Sequence, residues 1–137
     1  MNYNELTSIV LSEKEALDKI LQHLDEQYKM ILKKDVFGLE SMVDKLKQCN
    51  KDVARMELER RKFVGEGSMK DIVKESKNNN LINAYKSINK LLFSIKQQKE
   101  TNELLIKQQM SFNTQLINLI NPRRDTNTYN SYGKLTR

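Results

Sequence analysis

The side chains able to do covalent or acid–base work are few and scattered. The chain contains one histidine, His23, and one cysteine, Cys49. Nucleophilic catalysis needs a base within hydrogen-bond reach of the nucleophile, and a third group that orients the base. His23 lies between Gln22 and Leu24, off the apolar stripe of its segment, and reads as a surface residue. Cys49 falls on an apolar seam and reads as a small buried side chain. A lone cysteine has no internal disulfide partner, and nothing in the sequence completes a zinc cluster. Carboxylates are plentiful but interleaved with basic residues, as in Asp18-Lys19 or Glu57 with Arg61, the pattern of a solvated helix face laced with ion pairs. There is no Glu-x-x-His element for a di-iron bundle and no glycine-rich phosphate loop. No catalytic residue, no metal site and no cofactor is expected, and the chain does not read as an enzyme.

What remains is a scaffold whose chemistry is contact. The 137 residues fit one domain, and a chain of that size buries enough apolar surface to fold without disulfides or a structural metal. Charged residues are 31% of the chain, and only four glycines and one proline interrupt it, so long amphipathic helices are favoured. Aromatics are 7%, tryptophan is absent and no segment alternates apolar with polar residues, which argues against strands. The fold class expected is all-α: an antiparallel, coiled-coil-like bundle of three long helices with one short helix, no strand, and a flexible C-terminal tail.

The first helix is expected from about Asn4 to Lys34. Leu6, Val10, Leu17, Ile20, Leu24, Tyr28 and Ile31 recur at helical spacing, with Ile9, Ala16 and Leu21 widening the stripe and Glu13 interrupting it. Asp35 is placed to cap the next helix, with Gly38 close by as a reason for a late start. That second helix has steps of four and three at Met42, Leu46, Cys49, Val53, Met56, Arg60 and Phe63, the rhythm of a coiled-coil seam. Arg60 is expected to lay its stem on apolar surface and reach water with its guanidinium. Gly65-Glu66-Gly67 ends the helix, and Ser68 is placed to cap a short one from Met69 to Lys77.

Asn78-Asn79-Asn80 breaks the chain again, with Asn80 as cap for a last helix from Leu81 to Asn121, about 60 Å long. Its stripe holds at Leu81, Tyr85, Ile88, Leu92 and Ile95, lapses over the polar run Gln97 to Glu103, and resumes at Leu105, Phe112, Leu116 and Leu119, thickened by Leu104, Ile106, Ile117 and Ile120. Such a helix overhangs its shorter partners by about 15 Å, so its packing should be best over its first half. The apolar end then needs a partner, either a bound protein or a second copy.

Pro122 stops that helix, which sets a bundle domain at 1–122 and a flexible basic tail at 123–137. The net charge of +6 is unevenly placed, because Arg123, Arg124, Lys134 and Arg137 face only Asp125 in the tail. Basic charge alone permits anionic partners, but no nucleic-acid reading motif accompanies it. Met1 to Glu5 shows neither the basic nor the apolar region of a signal peptide, and no apolar run approaches the roughly 20 residues that span a bilayer. The expectation is a cytoplasmic protein without direct membrane insertion.

With these elements in place, the sequence resembles the FlgN family of flagellar export chaperones over nearly its whole length. The resemblance rests on Leu6, Glu13, Leu17 and Leu21, on the charged run Met56-Glu57-Leu58-Glu59-Arg60-Arg61-Lys62-Phe63, on Asn102-Glu103-Leu104-Leu105, and most specifically on Thr128-Tyr129-Asn130-Ser131-Tyr132-Gly133 in the tail. It implies a chaperone for late hook-associated proteins, those joining hook to filament, that keeps them soluble and unassembled and delivers them to the soluble domain of the export-gate membrane protein of the flagellar type III system. The client region it implies spans Leu104 to Ile120, with Leu104, Leu105, Phe112, Leu116, Leu119 and Ile120 as contact residues. It implies gate docking at Tyr129, with Tyr132 and Gly133 in the same segment. Arg123-Arg124 and the second tyrosine depart from the family pattern and leave both tyrosines as docking residues.

Two other readings stand beside it. One is a structural coiled-coil adaptor that forms a homodimer through the same stripe, with no export role. The other is a helical protein that meets nucleic acid through its basic tail. Steep weakening between about 50 and 200 mM salt separates phosphate binding from apolar helix docking.

Overall fold

The computed structural model describes residues 1–120 together with residues 128, 129, 135 and 136, and side chains as far as Ser111. Four helices follow one another: α1 Tyr3–Lys33, α2 Val36–Val64, α3 Met69–Ser76 and α4 Asn79–Ile120. The expected bundle of three long helices and one short one is what the chain forms.

Each boundary has a local cause. Asn2 caps α1, its side-chain oxygen accepting from the Glu5 amide at 3.1 Å. At the other end Lys34 turns left-handed, with φ 57°. Its amide reaches Ile31 and the Asp35 amide reaches Met30, satisfying carbonyls that the helix end would orphan. Asp35 then caps α2 as expected, accepting from the Gly38 amide at 2.9 Å. Gly38 does not delay the helix; a β-carbon there would sit 2.5 Å from the Asp35 carboxylate, so the absent side chain makes room for the cap.

Ser68 occupies the N-cap position of α3 but makes no side-chain capping bond. The cap of α4 is Asn78 rather than Asn80: its Oδ1 accepts from the Leu81 amide at 3.2 Å, and the helix begins at Asn79. Asn78 outcompetes Asn80 because Lys77 is already left-handed, with φ 52°, which ends α3 one residue earlier.

The stripe of α1 is the spine. Leu6, Val10, Leu17, Ile20, Leu24 and Ile31 are all buried. α1 packs along both α2 and α4, while α2 and α4 make no extended contact with each other. Two turns reverse the chain twice, so α1 and α4 run in the same direction. Asn102 meets Leu24 and Gln109 meets Ile31, a constant offset of 78 positions. On that register α4 presents Leu81, Ala84, Ile88 and Leu91 to α1, all buried. Leu92, which the sequence pattern places on the stripe, is instead exposed, because the true seam advances by three then four from Leu81.

The same offset sets Lys33 beside Ser111, so positions 112–120 of α4 run on past the end of α1. Those nine positions are about 14 Å of helix, close to the expected overhang.

The helix stop at Pro122 and most of the tail from 123 to 137 lie outside the described residues. Within the tail, Thr128–Tyr129 and Leu135–Thr136 form a two-residue antiparallel pair, Thr128 opposite Thr136 and Tyr129 opposite Leu135. A pairing of this size leaves the expected all-α class as it stands. Four residues give no apolar alternation to read, which is why the pattern missed them.

Candidate functional site

Between α2 and α4, over one flank of α1, lies a cleft of about 360 Å³. Leu17, Ile20 and Leu24 of α1 form its floor. Leu46, Asn50 and Val53 make the α2 wall, and Ile95, Lys99, Glu103 and Ile106 the α4 wall. This explains why Leu46 and Val53 are only half-buried although they lie on the seam pattern: one flank of each meets α1 and the other meets the cleft. Met42 and Cys49, turned more squarely to α1, are buried.

Beyond the cleft the α1–α4 seam changes character. Asn102 is 1% exposed, with its Nδ2 donating to the Leu24 carbonyl and to Gln27 Oε1, both at 2.9 Å. Its Oδ1 accepts from Gln98 Nε2 at 2.9 Å, and one further step along, Gln109 Nε2 donates to the Ile31 carbonyl at 2.9 Å. The polar run that reads as a break in packing is therefore a ladder of amides holding the second half of α4 against α1. Amides at core positions give register, since each buried donor must find its one partner.

Across the other seam, Glu13 and Arg60 meet at 2.9 Å. Glu13 is buried on α1, not a tolerated interruption, and Arg60 turns inward to it rather than out to water. Cys49 is a buried free thiol whose pKa is pushed up by desolvation first and by the Asp52 carboxylate second, with Lys19 opposing. His23 is half-buried rather than on the surface, with Glu26 3.8 Å from its Nδ1. Among the described residues no group of three or more His, Cys, Asp or Glu side chains is placed to hold a metal ion, and no helix is long and apolar enough to cross a membrane.

The bundle thus combines a cleft between long helices, an amide-registered seam and a helix that outruns its partner. The family model described as FlgN protein matches residues 1–137. The chain belongs to the FlgN family. FlgN proteins are flagellar export chaperones, and binding flagellar proteins is what the family does in general terms. No curated protein and no solved structure matches the chain.

Against that membership, the residues matched to the family's client region separate in space. Leu104 points away from α1 and is 56% exposed. Leu105 is half-buried, and Ile106 turns into the cleft. Three consecutive helical residues span three directions, about 100° apart. The side chains of Phe112, Leu116, Leu119 and Ile120 lie outside the described residues, although their helix is described. Tyr129 lies in the short strand pair, whereas Tyr132 and Gly133 lie outside the described residues. The cleft itself is absent from the sequence reading. Its only signal there is the pair Leu46 and Val53 facing Ile95 and Ile106, and that pairing needs the register first.

Proposed function

We propose that this chain is a cytoplasmic chaperone of late flagellar hook-associated proteins, which it keeps soluble and unassembled and delivers to the soluble domain of the type III export-gate membrane protein. Membership of the FlgN family supports the export role. The observation that carries the client assignment is the run of α4 past the end of α1, over the apolar sequence that includes Phe112, Leu116, Leu119 and Ile120. A helix that outruns its neighbour and carries apolar residues at three- and four-residue spacing can dock another helix. The helix it covers is one that would otherwise find its neighbour in the growing structure, so coverage prevents premature assembly. Ordering the client helix lowers the net affinity and keeps exchange at the gate open. Tyr129, with Tyr132 and Gly133, follows Pro122 in the sequence and serves the gate, so one chain holds client and gate together.

The test is capture from a lysate of flagellated cells with the bound proteins identified, repeated with Phe112→Ala/Leu116→Ala/Leu119→Ala. Hook-associated proteins are expected on the wild-type chain and not on a variant that keeps its helicity. Unfolding of the variant would make the stripe core instead. A homodimer that captures nothing would leave the coiled-coil adaptor.

A further inference from the structure

The first half of α4 carries charge of one sign. From Asn79 to Lys99 it holds Lys86, Lys90, Lys96 and Lys99 and no aspartate or glutamate. All four lysines are exposed, and among the described residues none of them joins an ion pair. On α1 and α2, by contrast, Lys14 meets Asp18 and Arg61 meets Glu57.

Two large apolar side chains stand in this basic surface, Phe93 at 62% and Leu104 at 56% exposed. At about 100° per residue, Lys86, Lys90, Phe93 and Leu104 fall within roughly 60° of arc. That arc lies opposite the buried line of Leu81, Ala84, Ile88 and Leu91, so it faces away from α1. Lys96 stands on its flank, and Glu100 is the acid on the same face. From Lys86 to Leu104 the face extends about 27 Å.

The charge decides what can cover Phe93 and Leu104. A second copy would set the same lysines against these, which like-charge repulsion opposes. The convex face of one helix has no groove in which to seat a peptide or a partner helix. Single-stranded nucleic acid stacks on successive aromatic rings, and Phe93 is the one aromatic residue in the arc. An anionic lipid surface matches both halves of the pattern. The Phe93 ring and Leu104 enter the headgroup layer, while the lysine stems lie along it and carry their ammonium groups to the phosphates.

We propose that the outer face of α4 is a peripheral docking surface for anionic membrane lipid. The contact is interfacial, since no helix among the described residues is long and apolar enough to cross a bilayer. The inference goes beyond the chaperone reading and does not rest on it. Where both hold, lipid contact keeps the loaded chain in the plane of its gate.

The experiment is co-sedimentation of the full chain with vesicles, of phosphatidylcholine alone or with about 30% phosphatidylglycerol. Binding is expected to the anionic vesicles alone and should fall steeply between about 50 and 500 mM salt. Lys86→Glu/Lys90→Glu should weaken it about tenfold or more, and Phe93→Ser about fivefold, with the melting temperature unchanged because all three positions are exposed. Lys45→Glu/Lys47→Glu on α2 makes the same change of net charge, and Arg123→Gln/Arg124→Gln tests the tail. Both should stay within about threefold of wild type. No wild-type binding to anionic vesicles, or equal binding to neutral ones, overturns the proposal. So does equal weakening by the α2 pair, which would make net charge the cause, or a loss confined to the tail variant. Tighter binding to polyuridylate than to the vesicles makes the face a nucleic-acid site and also overturns it. None of these failures touches the chaperone reading, which capture of the client tests separately.

Discussion

Glu13 and Arg60 form a buried cross-helix ion pair, Arg60 Nε donating to Glu13 Oε2 at 2.9 Å with the glutamate side chain 8% exposed. A carboxylate withdrawn from water that far is tolerable only with a partner of opposite charge and good geometry. The pair fixes the stagger of α1 against α2, because a slip of one turn would leave both charges without each other. Arg60→Leu is expected to destabilise the fold by about 3 kcal/mol, whereas Glu13→Leu/Arg60→Leu should be neutral or stabilising. Urea midpoints of the two singles and the double give the coupling. Additive losses would mean that the pair contributes nothing.

Lys34 holds a left-handed conformation in which a β-carbon is unfavourable by roughly 1–2 kcal/mol. Lys34→Gly should therefore raise stability by about 1 kcal/mol, partly offset by the freer unfolded chain. The check is a melting temperature higher by about 3 °C. A fall would show that the lysine side chain, not the backbone, holds the turn.

Asn102 joins the second half of α4 to α1. Asn102→Ala leaves the Gln27 and Gln98 amides unmatched and should be destabilising by about 1–3 kcal/mol. The loss should be local. Hydrogen exchange should quicken over Lys96 to Ser111 while Leu81 to Leu91, on the apolar part of the seam, keeps its protection. Uniform quickening along α4 would show one cooperative seam rather than two.

Cys49 is buried with its pKa raised, so the reactive thiolate is scarce at neutral pH. Its reaction with a disulfide reagent at pH 8 should be slow in the folded protein and fast in denaturant. A folded rate equal to that of a free thiol would place Cys49 at the surface.

The parts legible in the sequence are those set by neighbours in the chain. The apolar stripe of α1, the Asp35 cap and the glycine stop after α2 need only a few adjacent residues to be read. What escaped depends on partners far along the chain. Glu13 and Arg60 each look like a flaw in their own helix, and only the α1–α2 stagger turns two flaws into a pair. The polar run around Asn102 looks like lost packing until the offset of 78 brings Leu24 and Gln27 to it. Leu92 sits four residues after Ile88 as Leu91 sits three after it, and nothing local chooses between them. The cleft is a distance between α2 and α4, which no residue pattern on either helix encodes.

The most direct test of the chaperone reading is secretion by cells that lack this chain. Hook-associated proteins should disappear from the culture medium while the hook itself is still exported and built, and the wild-type gene should restore them. Restoration with Tyr129→Ala should be weaker, with hook-associated proteins building up inside the cell. Normal secretion of hook-associated proteins without the chain would contradict the account.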